Sequence, residues 1–343
     1  ARPGSIGRRA APAGGAGMVL LEVIEGAGGR KARATARHLQ RGDGRAMAAR
    51  GGTAGLLPRQ RGLAEGGQAV IRSGWGPGDL RLWLDWEPVT PRLEIAVGSR
   101  TLVAGPWRVE VIADGRSVEA DGPWRMSSCE RCRHGTFLEI VQPLVGGGEI
   151  QRQIVVLARD RVVLLADAVV LPPGTATIGY RGTIAVASAM TVERAAESRE
   201  VSLVDGRARA VLMPLALPEW NAASAPGGLE VSAAARDGRG TALEVRLSGA
   251  ERRLYAPLWM DGDARRAGGP ITWRQLTVAD TRRILGRHEA AGYRVQAGRD
   301  QWLVYRALDE PRNRTLLGCN VACEFLLGRI KPRGRVGRSI EIE

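Results

Sequence analysis

Residues 66–86, GGQAVIRSGWGPGDLRLWLDW, decide the fold of this 343-residue chain. Residues 79–86 place a leucine or a tryptophan at every second position, which is the period of a half-buried strand. A shorter apolar run, 67–72, comes before it. Between the two runs, residues 73–78 pack three glycines and a proline around Trp75, a composition that favours a tight connection over a helix. The stretch therefore predicts a strand, a turn that displays Trp75, and a second strand.

Short segments of the same kind follow along the chain, separated by turn residues such as Asp114-Gly115, which is a hairpin signal. Two longer strands are predicted at 149–157 and 161–171. The second is almost continuously apolar, which indicates a central strand covered on both faces, and Asp167 inside it needs a hydrogen-bonding partner. The remaining strands are predicted at 92–97, 100–103, 107–112, 136–141, 176–186, 199–204, 208–215, 229–233, 242–247, 253–260, 273–278, 293–297, 301–308 and 321–330.

These strands, with no long amphipathic helix after residue 60, predict an all-β fold, a large supersandwich-like antiparallel β-sandwich over residues 62–343. Residues 1–61 hold 12 basic and three acidic residues, a net charge of +9 out of +14 for the whole chain. Their Arg/Gly/Ala-rich stretches have little apolar periodicity. We therefore predict a flexible, basic N-terminal tail and assign no function to it.

The sequence shows no secretory signal pattern and no apolar run of roughly 20 residues, the length that a membrane-spanning helix needs. We therefore expect no membrane span. The sequence predicts neither a cellular location nor an oligomeric state.

Three stretches together resemble a known family: residues 66–86, then LEIAVGSRTLVAGPW at 93–107, then EIQRQIVVLARDRVVLLADAVV at 149–170. They are similar to the C-terminal β-sandwich half of the heparinase II/III-like polysaccharide lyases. In that family a strand ending in R-S-x-W-G precedes a strand read as L-x-x-D, and a later strand closes with an aspartate. The resemblance implies a β-sandwich and the β-elimination of uronate-containing glycans.

Two features that the resemblance also implies have no counterpart in this sequence. The family has a helical toroid ahead of the sandwich and an H-G-H-x-D phrase after the second strand, where this chain has EPVTPR at 87–92. β-Elimination needs a base, an acid and a group that neutralises the uronate carboxylate, and the sequence offers only arginines for the last role. We therefore expect a non-catalytic sandwich that binds acidic polysaccharide or supports assembly beside such an enzyme. The alternative is a polysaccharide lyase whose helical catalytic part is missing from this chain.

Aromatic and basic residues near the opening are the candidate binding residues. Trp75, Trp83 and Trp107 can present flat rings to sugar faces. Arg72 and Arg81 can pair with a uronate carboxylate or a sulfate. The competing interpretation is that tryptophans in Gly-Pro-Trp contexts cap the core of the sandwich.

The cysteines form two close pairs, Cys129 with Cys132 and Cys319 with Cys323. Four thiolates can close a tetrahedral zinc site if the two pairs meet in space. A disulfide within the CxxC, or free thiols packed as small hydrophobes, are the other interpretations. No cofactor is therefore expected unless zinc is bound. A metal-stabilised structural or nucleic-acid-binding protein is a third functional alternative, although no nucleic-acid-binding motif is present and no specific nucleic acid is expected.

Overall fold

The computed structural model describes residues 62–233 and 240–343, so the predicted tail at 1–61 lies outside the described residues. Within these ranges the chain consists mainly of strands, with one short helix, α1 (Ala264–Ala267), and one 3-10 turn (Pro332–Gly334). None of the helices in this part of the chain is long and apolar enough to cross a membrane.

The strands in chain order are β1 Gly62–Glu65, β2 Gln68–Arg72, β3 Leu80–Asp85, β4 Arg92–Val97, β5 Arg100–Ala113, β6 Arg116–Val118, β7 Arg125–Cys132, β8 Gly135–Pro143, β9 Glu149–Leu157, β10 Val162–Val170, β11 Ile178–Val186, β12 Thr191–Arg194, β13 Val201–Val204, β14 Ala208–Pro214, β15 Gly227–Ala233, β16 Thr241–Gly249, β17 Arg253–Asp261, β18 Ile271–Leu276, β19 Ala290–Ala297, β20 Asp300–Ala307, β21 Arg314–Leu316, β22 Cys319–Val321, β23 Phe325–Ile330 and β24 Val336–Ile342.

Three large sheets make up the domain. The first has the order β1-β2-β3-β4-β5-β11-β16-β15, with β6 paired to β5. The second has the order β12-β13-β14-β17-β10-β9-β8-β7, and the third β18-β19-β20-β23-β24, while β21 and β22 form a separate ribbon. All neighbouring strands run antiparallel, as in the β10 to β17 and β19 to β20 pairs. The predicted all-β antiparallel sandwich is confirmed.

Two apolar cores hold the three sheets together, and the second sheet contributes to both. Leu82 of the first sheet and Leu165 of the second belong to one core. Leu164 of the second sheet and Trp302 of the third belong to the other. Since successive side chains of a strand point to opposite faces, β10 fills both cores in alternation. The prediction of a central strand covered on both faces is confirmed for β10.

Two segments were divided into strands wrongly. The break predicted between 100–103 and 107–112 does not exist, because β5 runs through Gly105 at φ 145°. Its register to β11 shifts between Ile184 and Val186. Such a shift is typical of a β-bulge, which accommodates an extra residue without ending the strand. Conversely, the single strand predicted at 321–330 is two, since β22 ends at Val321 and β23 begins at Phe325.

Candidate functional site

The turn between β2 and β3 has a fixed shape that begins at Ser73. The Ser73 backbone N–H donates to the Leu80 carbonyl at 3.0 Å, and the buried Ser73 hydroxyl accepts from the Leu80 N–H at 2.9 Å. Inside this closure, the Asp79 N–H donates to the Gly76 carbonyl at 3.1 Å. Trp75 lies at the tip of the turn and is half-buried. The predicted strand, turn and strand are therefore present, with Trp75 at the turn.

Arg72 and Arg81 lie directly opposite each other on β2 and β3. Their neighbours on both strands, such as Ile71 and Leu82, point into the core, so the two arginines share the outer face of the first sheet, the face turned away from the second sheet. Like charges directly opposite each other destabilise an antiparallel pair. Neither arginine forms a salt bridge with a carboxylate among the described residues; Arg81 donates instead to the Gly98 carbonyl at 3.1 Å.

The electrostatics of Arg72 reflect this crowding. Burial, and then the neighbouring Arg81 charge, lower the pKa of Arg72 to about 10, while Asp79 acts in the opposite direction. The group therefore keeps its positive charge at neutral pH. Its guanidinium carbon lies 4.6 Å from the centre of the Trp75 ring, within the range of a cation–π contact. Arg72, Arg81 and Trp75 form one group of side chains, which we call the arginine–tryptophan patch.

Trp83 and Glu94 continue the outer face beside this patch. Trp83 pairs across the strands with Glu94 of β4 and with Val70 of β2. The Trp83 indole N–H is out of water and has no acceptor among the described residues. Burial raises the pKa of the Glu94 carboxyl above its usual value, against the opposing effect of Arg81. No pattern in the sequence indicates Glu94; only the strand register places it next to Trp83 and close to Arg81.

Trp107 is placed differently from the other candidate residues. Its side chain is buried in the first core, and its ring centre lies 3.9 Å from the guanidinium carbon of Arg152. Trp124 lies 4.7 Å from the same carbon, and the Trp107 carbonyl accepts from Arg152 at 2.9 Å. Trp107 is therefore not brought together with the arginine–tryptophan patch. Both Gly-Pro-Trp tryptophans are core residues that enclose a buried cation.

Asp167 has the partner that its position requires. Arg152 lies opposite it on β9 and donates to both carboxylate oxygens, at 2.8 and 2.9 Å. The Tyr180 hydroxyl donates to Oδ2 at 2.8 Å. Both charged side chains are fully buried, and burial together with the Asp167 charge raises the pKa of Tyr180. This closed, buried network has a structural role.

The four cysteines are free thiols, and the CxxC disulfide is not formed. Cys132 is exposed and contacts the Ser339 carbonyl at 3.3 Å, whereas Cys323 is buried. Within the described ranges, no group of three or more His, Cys, Asp or Glu side chains is arranged to hold a metal ion. The two cysteine pairs do not meet as a tetrahedral site.

A pocket of about 210 Å³ lies elsewhere, at the junction of β16, β17 and β19. Tyr255, Tyr293 and His288 line it together with apolar side chains. Burial raises the pKa of both tyrosines well above the usual value, so they stay protonated at neutral pH. His288 lies 3.9 Å from Glu251 and 4.0 Å from Glu289. No residue of the arginine–tryptophan patch lines this pocket.

The architecture defines the class of protein: three antiparallel sheets in a β-supersandwich. Solved structures with this fold include the heparan sulfate lyase HepC from Pedobacter heparinus, at 12% identity and a TM-score of 0.55, covering 87% of this chain and 48% of that one. A heparinase III structure with methylated lysines matches at 10% identity and a TM-score of 0.55, covering 85% of this chain and 47% of that one.

These matches confirm the resemblance to heparinase II/III-like proteins at the level of the fold. The chain spans about half the length of the structures that it matches. No protein-family model and no curated protein matches the sequence. Sequence identities this low show a shared fold but do not show a shared activity, because one fold supports many functions.

Proposed function

We propose that this protein binds acidic polysaccharide through the arginine–tryptophan patch, without cleaving it. The observation that carries the proposal is the placement of Arg72 directly opposite Arg81, with neither guanidinium in a salt bridge among the described residues. A bound carboxylate or sulfate would remove the repulsion between the two guanidinium groups and accept charge-assisted hydrogen bonds from them. Trp75 adds an aromatic surface of the kind that packs against a sugar ring.

A contrast on the same sheet supports the proposal. Arg181 of β11 also projects from the outer face, but it lies between Glu110 at 2.8 Å and Glu244 at 3.6 Å. Arg181 therefore has two salt-bridge partners within the protein, whereas Arg72 and Arg81 have none among the described residues. Arg181 is therefore a matched control for any effect of removing one positive charge from this face.

The test is the affinity of the purified chain for heparan sulfate, chondroitin sulfate and alginate, measured by titration calorimetry. Loss of one hydrogen bond to a charged group, worth about 1.5 kcal/mol or more, predicts that Arg72→Gln and Arg81→Gln each weaken Kd roughly tenfold or more. Trp75→Ala is expected to weaken binding as well. Arg181→Gln should bind like the unaltered protein. Equal affinities of all four variants and the unaltered protein would reject the proposed site.

A polysaccharide lyase is the second candidate, and Glu94 is the observation that favours it. A carboxyl whose pKa is raised by burial is a candidate general base, and Glu94 lies beside the arginines that would neutralise a uronate. The fold is also that of solved heparan sulfate lyases. Ultraviolet absorbance from unsaturated uronate, present in the unaltered protein and lost in Glu94→Gln, would establish this activity and overturn the non-catalytic proposal.

A further inference from the structure

Three turns meet at the end of the sandwich next to the arginine–tryptophan patch. The turn between β9 and β10 touches the turn that carries Trp75, because the Arg159 N–H donates to the Ser73 carbonyl at 3.2 Å. On its other side, the Ala158 N–H donates to the carbonyl of His134, in the turn between β7 and β8, at 2.7 Å. Backbones joined by hydrogen bonds lie about 5 Å apart, so these contacts place the three turns side by side over roughly 10 Å.

Each added turn carries an exposed arginine without an acidic partner among the described residues. Arg159 is exposed, and its backbone adopts φ 73°, a left-handed conformation that non-glycine residues rarely adopt. Arg133 is also exposed, and its Nε donates to the Nε2 of His134 at 2.9 Å rather than to a carboxylate.

Two carboxylates next to the Trp75 turn and the β9–β10 turn already have cationic or polar partners. Asp79 lies 3.9 Å from Arg161, which also reaches Asp263 at 3.6 Å. Asp160 accepts from the Trp302 indole at 3.3 Å and lies 3.7 Å from Arg329. Since neither Arg159 nor Arg133 forms a salt bridge among the described residues, both exposed charges are accessible to an external anion.

We infer that the polysaccharide site continues over this end of the sandwich, from Trp75 across Arg159 to Arg133. The ligand is then a polyanion with negative groups on successive sugar residues, because a single charged sugar does not cover three adjacent turns. This inference rests on the proposed function of the arginine–tryptophan patch. It adds the prediction that affinity grows with the length of the oligosaccharide until Arg159 and Arg133 are both engaged.

Two heparin oligosaccharides, a disaccharide and an octasaccharide, separate the two parts of the site. Arg159→Gln and Arg133→Gln are expected to weaken binding of the octasaccharide about five- to tenfold each, as for the loss of one charged contact, and to leave the disaccharide unaffected. Arg159→Lys keeps the charge and should retain most of the octasaccharide affinity. The dependence of octasaccharide affinity on salt should become shallower in Arg159→Gln, because fewer counterions are released.

The controls distinguish failure of this inference from failure of the proposed function. Arg72→Gln should weaken both oligosaccharides; if it weakens neither, the proposed function fails. If Arg72→Gln acts as expected while Arg159→Gln and Arg133→Gln bind the octasaccharide normally, only the extension fails. Equal losses for both oligosaccharides in Arg159→Gln would also overturn the extension, because Arg159 would then act through the Ser73 contact. Arg312→Gln, at an exposed arginine already paired with Glu310, controls for net charge.

Discussion

Replacing Asp167 with asparagine tests whether the buried network fixes the packing of the first two sheets. The substitution keeps the size of the side chain and removes its charge, which leaves the Arg152 guanidinium fully buried without a counterion. Removing one partner of a buried ion pair costs about 3–5 kcal/mol, since the remaining charge has lost its water and gains nothing in return. The cation–π contacts of Arg152 with Trp107 and Trp124 are present in both proteins, so they do not offset this loss.

The measurement is the free energy of unfolding from guanidinium denaturation, followed by tryptophan fluorescence and by circular dichroism. Glu110→Gln is the matched control, because it breaks a salt bridge between Glu110 and Arg181 in which both side chains are about half exposed. Exposed pairs contribute about 0–1 kcal/mol. We therefore expect Asp167→Asn to lose several times as much stability as Glu110→Gln.

A double substitution tests whether the loss of stability comes from the unpaired charge of Arg152. Arg152→Met combined with Asp167→Leu removes both charges, and it should be more stable than Asp167→Asn, because no buried charge is left without a partner. A loss below about 1 kcal/mol in Asp167→Asn, or a double variant less stable than the single one, would refute the assignment of a stability role to the ion pair itself.

Three further predictions concern Arg81, Glu289 and metal binding. Arg81→Glu removes one of the two opposed positive charges and places an acid opposite Arg72, so polysaccharide binding should be lost; unchanged binding would contradict the proposed patch. Hydrogen bonds from Arg283 hold the pKa of Glu289 at about 2, below its usual 4.5. Glu289 therefore stabilises the fold above pH 4.5 and loses this effect as the pH falls towards 2. The difference in unfolding free energy between the unaltered protein and Glu289→Gln should shrink as the pH falls from 4.5 to 2. A difference that stays constant over this range would contradict the prediction. Finally, a chelator should leave the melting temperature unchanged, and a decrease would reveal a metal site.

The fold was predictable where one or both faces of a strand are apolar. The alternation at 79–86 identified β3, and the apolar run at 161–171 identified β10, because burial imposes a pattern on the sequence. β7 was missed for the opposite reason. It forms an edge of the second sheet, and its residues are mostly exposed, so neither face imposes an apolar period. β24, another edge strand, has the same mixed composition and was missed as well.

The candidate site was only partly predictable because its chemistry depends on strand register. Arg72 and Arg81 were predicted from the sequence, but only the closure of the turn by Ser73 places them directly opposite each other. The position of Trp107 in the core could not be predicted from its neighbours in the sequence. Its Gly-Pro-Trp context is the same as that of Trp124, and both rings contact Arg152, which is far away in the sequence.

Arginines on the outer face of the first sheet occur in two different electrostatic arrangements. On β5, β11 and β16, Arg181 lies between Glu110 and Glu244, so each charge has an internal partner. On β2 and β3, Arg72 lies opposite Arg81, although a glutamate at either position would relieve the repulsion. Both arrangements have the same sheet, face and antiparallel geometry, so the requirements of the fold do not explain the difference. Like charges placed directly opposite each other without a salt bridge are the kind of local arrangement that is typical of a functional surface, which supports the proposal that an anionic ligand binds there.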